Sequence, residues 1–163
     1  MGHRNPQGLY FDKEKNFVLE TEHGPYGGDE INLIEIKNYN ENEIQNYGWP
    51  LASYGKHYNS TSKKNKKKYP LPKSHKKNGF IEPLKYFVPS IGISELTKIN
   101  NDKYVASSLK DQSLYFFEIN NERKIKNMER IEVKERIRDL AFKNDKLYLF
   151  LEGSASVGII SIK

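Results

Sequence analysis

Two short stretches near the start of the chain place chemistry-bearing side chains beside backbone that can approach a ligand closely. In GHRNPQGL, Arg4, Asn5 and Gln7 surround Pro6, whose ring fixes the local backbone and holds three polar groups at the entrance of an apolar run. An arginine there can grip a carboxylate with two parallel N–H bonds, although RNPQ read alone is equally a structural turn. In EHGPYGGDEINLI, Gly24, Gly27 and Gly28 permit close backbone approach and Pro25 stiffens the turn. Carbonyls exposed there, with Asp29 or Glu30 alongside, suit a hard cation such as calcium; the alternative is a hairpin with surface acids.

Two basic clusters lie far downstream. Lys110 sits in SSLKDQ, and Arg136 and Arg138 in ERIRDL. Strand alternation puts both arginines on one face, so they can converge on a single anion, whereas an isolated Arg-x-Arg is ordinarily solvated surface. A third accumulation is different in kind. Eight lysines lie between residues 63 and 77 with no acid among them, so of the net +6 the remainder of the chain carries about −2. Ser, Thr, Asn, Pro and Tyr intersperse these lysines without periodicity, which reads as a flexible, solvated loop over residues 59–79. The sharper reading is polyanion contact. No helix-turn-helix, zinc finger or RNA-binding aromatic signature accompanies it, so no nucleic acid is expected.

The elements that must position these residues are strands. ISELTKI (93–99), KYVASS (103–108), SLYFFEI (113–119) and KNMERIEV (126–133) form one group of four, joined by short NND, KDQ and NNER connections. RDLAFK (138–143), KLYLFLE (146–152) and VGIISI (157–162) form a group of three. The first half reads similarly in GLYFD, NFVLETE and INLIEIK, followed by an irregular stretch from about 38 to 89. Regular spacing with tight turns predicts an all-β sandwich, barrel or propeller, and a propeller blade has four strands. At 163 residues the chain is long enough for one core. It contains no cysteine, so any metal must use oxygen or histidine ligands. No apolar run approaches the roughly 20 residues of a membrane span, and residues 1–20 carry no signal-peptide core.

Taken in order, GHRNPQGL, EHGPYGGDEINLI, NYGWP, SLK and RIRD resemble the soluble sugar dehydrogenases that depend on pyrroloquinoline quinone, the glucose/sorbosone dehydrogenase family. The resemblance runs from the first residues nearly to the last. It is most specific in the first two motifs and NYGWP, weaker in RIRD, and weakest in SLK.

The resemblance implies a partial six-bladed β-propeller of about three blades over residues 1–163, the last incomplete, matching the family's C-terminal half. It implies that Arg4, Asn5 and Gln7 contact the quinone, that Gly24 and Pro25 hold catalytic calcium through their carbonyls, and that Glu30 and Tyr47 bind calcium. Tyr58, in the GKHY after NYGWP, falls at a cofactor-contacting tyrosine, and Lys110, Arg136 and Arg138 match residues that neutralise the cofactor's carboxylates. A planar tricarboxylate calls for several basic donors around its rim.

The expected activity is oxidation of an aldose or similar alcohol by hydride transfer to the quinone. The chain is expected to supply the cofactor- and calcium-binding half. The family's general base is a histidine upstream of RNPQG, and His3, His23, His57 and His75 do not match it, so no catalytic residue is assigned. The family is periplasmic or secreted, and its secretory signal lies in that same upstream half. A different class of reading is a degenerate half-propeller that binds sugars or polyanions without turnover. Self-association through open strand edges is a further expectation.

Overall fold

The computed structural model describes residues 1–36 and 44–162; residues 37–43, where the INLIEIK reading ends, and residue 163 lie outside the described set. Among the described residues, eleven strands form three antiparallel sheets. The first holds β1 (Pro6–Asp12), β2 (Phe17–Glu22), β3 (Asp29–Glu35) and β4 (Lys85–Phe87) in that order. The second holds β5 (Ile93–Asn100), β6 (Lys103–Ser108), β7 (Ser113–Ile119) and β8 (Ile125–Glu132). The third has β9 (Ile137–Lys143), β10 (Lys146–Leu151) and β11 (Ser156–Ser161), ordered β11-β10-β9.

The sheets stack face to face, with β1 against β5 and β5 against β9. Period-two alternation decides which residues fill each gap. Phe17, Leu19 and Ile31 of the first sheet meet Ile93, Leu96, Tyr104 and Phe117 of the second. The opposite faces of the same second-sheet strands send Ile99, Val105 and Leu114 against Ile137, Leu140, Leu147 and Leu149 of the third. Burying such a side chain contributes about 2 kcal/mol, so the central sheet, covered on both faces, anchors the stack. These are three successive blades of a β-propeller, and among the described residues the third has three strands.

Local chemistry sets the hairpins. Lys143 pairs with Lys146 across Asn144 and Asp145, both at positive φ (51° and 56°), the geometry of a two-residue type I′ turn. Asp12 ends β1 and locks the first two sheets together. It accepts from the Tyr104 hydroxyl at 2.5 Å, the Lys98 ammonium at 3.1 Å and the Lys15 amide at 3.0 Å.

The stretch expected to be irregular over 38–89 holds more order than its composition indicates. β4 pairs with the start of β3, Asp29 opposite Phe87, and completes the first sheet. At three residues it is too short to show alternation. Within the lysine-rich segment, α1 (Lys63–Lys68) is capped by Ser62, whose side chain accepts from the Asn65 amide at 3.2 Å. Three lysines in its last turn favour the helix dipole, and none of its residues is buried.

Candidate functional site

The motifs read separately from the sequence are tied together by backbone bonds. Asn5 accepts from the His23 amide at 3.0 Å, Met1 from the Tyr47 amide at 2.9 Å, and Gly2 from the Trp49 amide at 2.9 Å. Arg4 donates to the His23 carbonyl at 2.9 Å and lies over the Trp49 ring at 5.3 Å, so one side chain bridges all three motifs. The segment at 53–56 wedges against the glycine turn. Tyr26 and Lys56 exchange two backbone hydrogen bonds of 2.9 Å. A Cβ on Gly28, at φ +76°, would come within 2.2 Å of the Gly55 nitrogen, so these two glycines let the strands meet.

Two cavities open from this junction. The larger, of about 590 Å³, is lined by Arg4, Asn5, Gly24, Pro25, Tyr58 and Lys110, six of the residues assigned to cofactor or metal. Its volume is that of an ordinary small-molecule site. The smaller, about 10 Å³, is lined by all four residues assigned to metal, Gly24, Pro25, Glu30 and Tyr47. It is the size of one water or one ion. Arg4, Gly24 and Pro25 border both.

Behind the smaller cavity lies a buried cluster of acids. Across β2 and β3, Glu20 faces Asn32 and Glu22 faces Glu30. The Asn32 amide donates to Glu20 at 3.1 Å, Glu22 at 3.1 Å and Glu30 at 3.4 Å. Burial works against charging His3, but the adjacent Glu20 and Glu22 outweigh it and raise the ring to about 9. Burial, then the charge of Glu22, pushes the Glu30 carboxyl up to about 8. Burial keeps His75 below its ordinary value and hence neutral, so its 3.6 Å approach to Glu30 is not an ion pair at neutral pH. Glu20 Oε1 and Asn32 Oδ1 are buried without a hydrogen-bond partner among the described residues. Oxygen donors, spare lone pairs and an under-neutralised carboxyl are the environment that a hard divalent cation suits.

Not every assigned residue meets the cavities. Gln7 folds back and donates to the Pro6 carbonyl at 2.9 Å. Arg136 and Arg138 do converge on one anion, but it is Glu152 Oε2, at 3.2 Å and 2.6 Å, and neither arginine lines the larger cavity. His23 supports backbone, its Nε2 lying 2.5 Å from the Ile93 carbonyl. His57 does the same at the Tyr69 carbonyl, also 2.5 Å.

The glucose/sorbosone dehydrogenase family profile matches residues 1–160. The chain belongs to this family. Among its relatives, the aldose sugar dehydrogenase YliI of Escherichia coli is 32% identical over 129 residues, 75% of this chain and 31% of its own length. The quinoprotein glucose dehydrogenase B of Acinetobacter calcoaceticus is 50% identical over 55 residues, 33% of this chain and 10% of its own. A crystal structure of a glucose dehydrogenase superposes with a TM-score of 0.77 at 29% identity, covering 99% of this chain and 45% of that one. The chain thus spans about a third of the length of the E. coli relative and under half of the solved one. Among the described residues, no helix is long and apolar enough to cross a membrane.

Several residues of the site were given no role by the motifs, even where a quoted motif contains them. Glu20, Glu22 and Asn32 alternate along LETE and DEIN, and acids at period two in strands otherwise apolar are the signal that could have found them. His75, only 1% exposed, lies in a segment whose lysines mask any hint of burial. Lys56, inside GKHY but given no role there, and Lys73, outside every quoted motif, also line the larger cavity.

Proposed function

We propose that the chain forms the cofactor- and calcium-binding part of a sugar dehydrogenase that oxidises an aldose. The observation that carries this reading is the shared wall: residues as distant as Arg4, Tyr58 and Lys110 line one cavity beside the Gly24–Pro25 turn. Bound pyrroloquinoline quinone would supply the acceptor for a hydride from the sugar carbon, with calcium as Lewis acid at its carbonyl. The protein's part is placement. Arg4 and Lys110 offer cationic donors to carboxylates, Tyr58 offers a half-exposed ring, and the Gly24 and Pro25 carbonyls and Glu30 offer oxygen to the cation. Arg136 and Arg138 would join only after releasing Glu152.

The experiment is a titration of the purified chain with pyrroloquinoline quinone, followed by absorbance, with calcium and with a chelator. A saturable, calcium-dependent change that weakens in Lys110→Ala supports the proposal; its absence overturns it. One observation favours the second reading, a binding module without turnover. His23 is the one histidine lining the larger cavity among the described residues, and its Nε2 is taken by the Ile93 carbonyl. Dye reduction with aldoses, by the quinone-loaded chain mixed with the N-terminal half of a complete relative, separates the two: turnover supports the dehydrogenase reading, and none supports the binding module.

A further inference from the structure

The larger cavity is more positive than the quinone reading needs. Arg4, Lys56, Lys73 and Lys110 line it, and among the described residues the one carboxylate in its lining is Asp29. Among the described residues none of the four cations makes an ion pair with a side-chain carboxylate. Asp29 is buried and committed elsewhere: its Oδ2 accepts from Ser90 at 2.6 Å, the Gly92 amide at 2.7 Å and the Ile93 amide at 3.1 Å. Four cations against one acid leave the cavity three charges positive. A tricarboxylate with its divalent cation offsets only one of these, so unpaired positive charge remains after the cofactor is seated.

The surplus has a place. Lys56 is fixed by the pair of backbone bonds to Tyr26, one residue beyond the tight contact of Gly55 with Gly28. Lys73 follows Pro72, whose carbonyl accepts from the Ser53 amide at 3.2 Å, and precedes Ser74 and the buried His75. The two segments are therefore bonded to each other, and both lysines stand on anchored backbone rather than on a free loop. Beside them Tyr26, 68% exposed, meets the Tyr58 ring edge-on at 6.2 Å, an aromatic wall open to a ring-shaped ligand. Both lysine side chains are exposed, so each can reorient toward an incoming anion without breaking an existing bond.

We infer that Lys56 and Lys73 form an anion subsite at the mouth of the cavity, and that the sugar it takes is an aldose bearing a carboxylate or a phosphate. This deepens the proposed function and rests on it for the reaction, but not for binding. The basic pair would select the charged group, and the Tyr26–Tyr58 wall would meet the ring.

The test is calorimetric titration of the purified full chain with glucuronate, glucose 6-phosphate, glucose and inorganic phosphate, alongside the quinone titration. Glucuronate or glucose 6-phosphate should bind more tightly than glucose and than phosphate, and more weakly at high salt. Lys56→Gln and Lys73→Gln should each weaken the charged sugar by about tenfold or more, the size of one charge-assisted hydrogen bond. Comparison of the two charged sugars tells carboxylate from phosphate selection. Lys64→Gln/Lys67→Gln, on α1 and outside the cavity, should change nothing. Equal binding of glucose and the charged sugars overturns the inference, as does free phosphate matching the sugar phosphate, or an equal loss in the α1 variant. Loss of quinone binding with charged-sugar binding intact overturns the dehydrogenase reading instead.

Discussion

Glu22 and Glu30 stand directly opposite each other across β2 and β3, both buried, and share the side-chain amide of Asn32. Glu22 is held below its ordinary value: burial opposes this, but His3 and the Arg4 amide prevail. Glu30, lacking such partners, is pushed up to about 8, so the bare protein holds it largely protonated at pH 7. A raised carboxyl favours the folded state at low pH and loses that advantage as pH rises toward 8. Glu30→Gln should therefore be neutral or slightly stabilising at pH 7 without metal. Calcium at about 100 times its dissociation constant should add about 2.7 kcal/mol to the native protein, or roughly 5–10 °C in Tm. Glu30→Gln should abolish that gain. Differential scanning fluorimetry with calcium, magnesium and chelator checks it, and an unchanged shift in the variant removes Glu30 from the metal site.

The contact between Gly28 and Gly55 predicts a second outcome. Alanine at Gly28 would adopt left-handed backbone and also press within 2.2 Å of the Gly55 nitrogen, where neither backbone can yield freely. Gly79 supplies the comparison, since it has a similar φ of +79° and a methyl group there would meet nothing within 4 Å. Gly79→Ala should cost about 1–2 kcal/mol, the backbone strain alone. Gly28→Ala should cost about 2–4 kcal/mol and weaken quinone binding, because the Tyr26–Lys56 pairing must part. Urea denaturation measures the first, absorbance titration the second; equal costs would show that the close approach carries no energy.

What could be read from the chain was whatever runs long enough between turn residues, most clearly where apolar residues repeat at period two. β5 to β11 match their expected spans within a residue or so because each runs for six residues or more between turn residues. β4 could not be read, since three residues show no period and its pairing depends on β3 some fifty residues earlier. The larger cavity was legible through Arg4, Gly24, Pro25, Tyr58 and Lys110, which the motifs mark. Lys56, Lys73 and His75 were not, because their roles come from how a long loop folds back onto the turn. Arg136 and Arg138 do reach one carboxylate together, but alternation says nothing about Glu152, which lies in the turn just after β10.

Asp12 should govern acid stability. Its carboxyl lies below the ordinary value; burial opposes this, but Tyr104, the Lys15 amide and Lys98 outweigh it. A depressed aspartate contributes stability above its unfolded pKa and loses it as pH falls through the folded one. Asp12→Asn should cost roughly 2–4 kcal/mol at pH 7, since it weakens the buried acceptor of the Tyr104 hydroxyl and leaves Lys98 with the exposed Glu14 as its remaining carboxylate partner. The difference from the native chain should shrink below the ordinary aspartate value of 3.8. Urea midpoints at a series of pH values check this, and a constant difference across the range would assign the loss to packing.

The two ends of the sheet stack should make the 163-residue polypeptide self-associate. Gly8, Tyr10 and Asp12 face the second sheet, so Leu9 and Phe11, 68% and 50% exposed, point out of the first. At the other end Leu147 and Leu149 face inward, while Val157 pairs with Phe150 and Ile159 with Tyr148 on the outer face. Val157 and Ile159 are 51% and 59% exposed, and β11 has no strand along its outer edge among the described residues. Each internal gap between sheets is filled by side chains of the same kind, so the two outer faces are chemically suited to meet. A bare strand edge adds unpaired backbone donors and acceptors. Sedimentation velocity over a range of concentrations should therefore show reversible association, and the double variant Leu9→Lys/Ile159→Lys should shift it to the monomer. Charge placed on both faces acts on association alone only if folding survives, so circular dichroism of the variant must match that of the native chain. A native chain that stays monomeric at every concentration would show that these faces, though apolar, are tolerated in water.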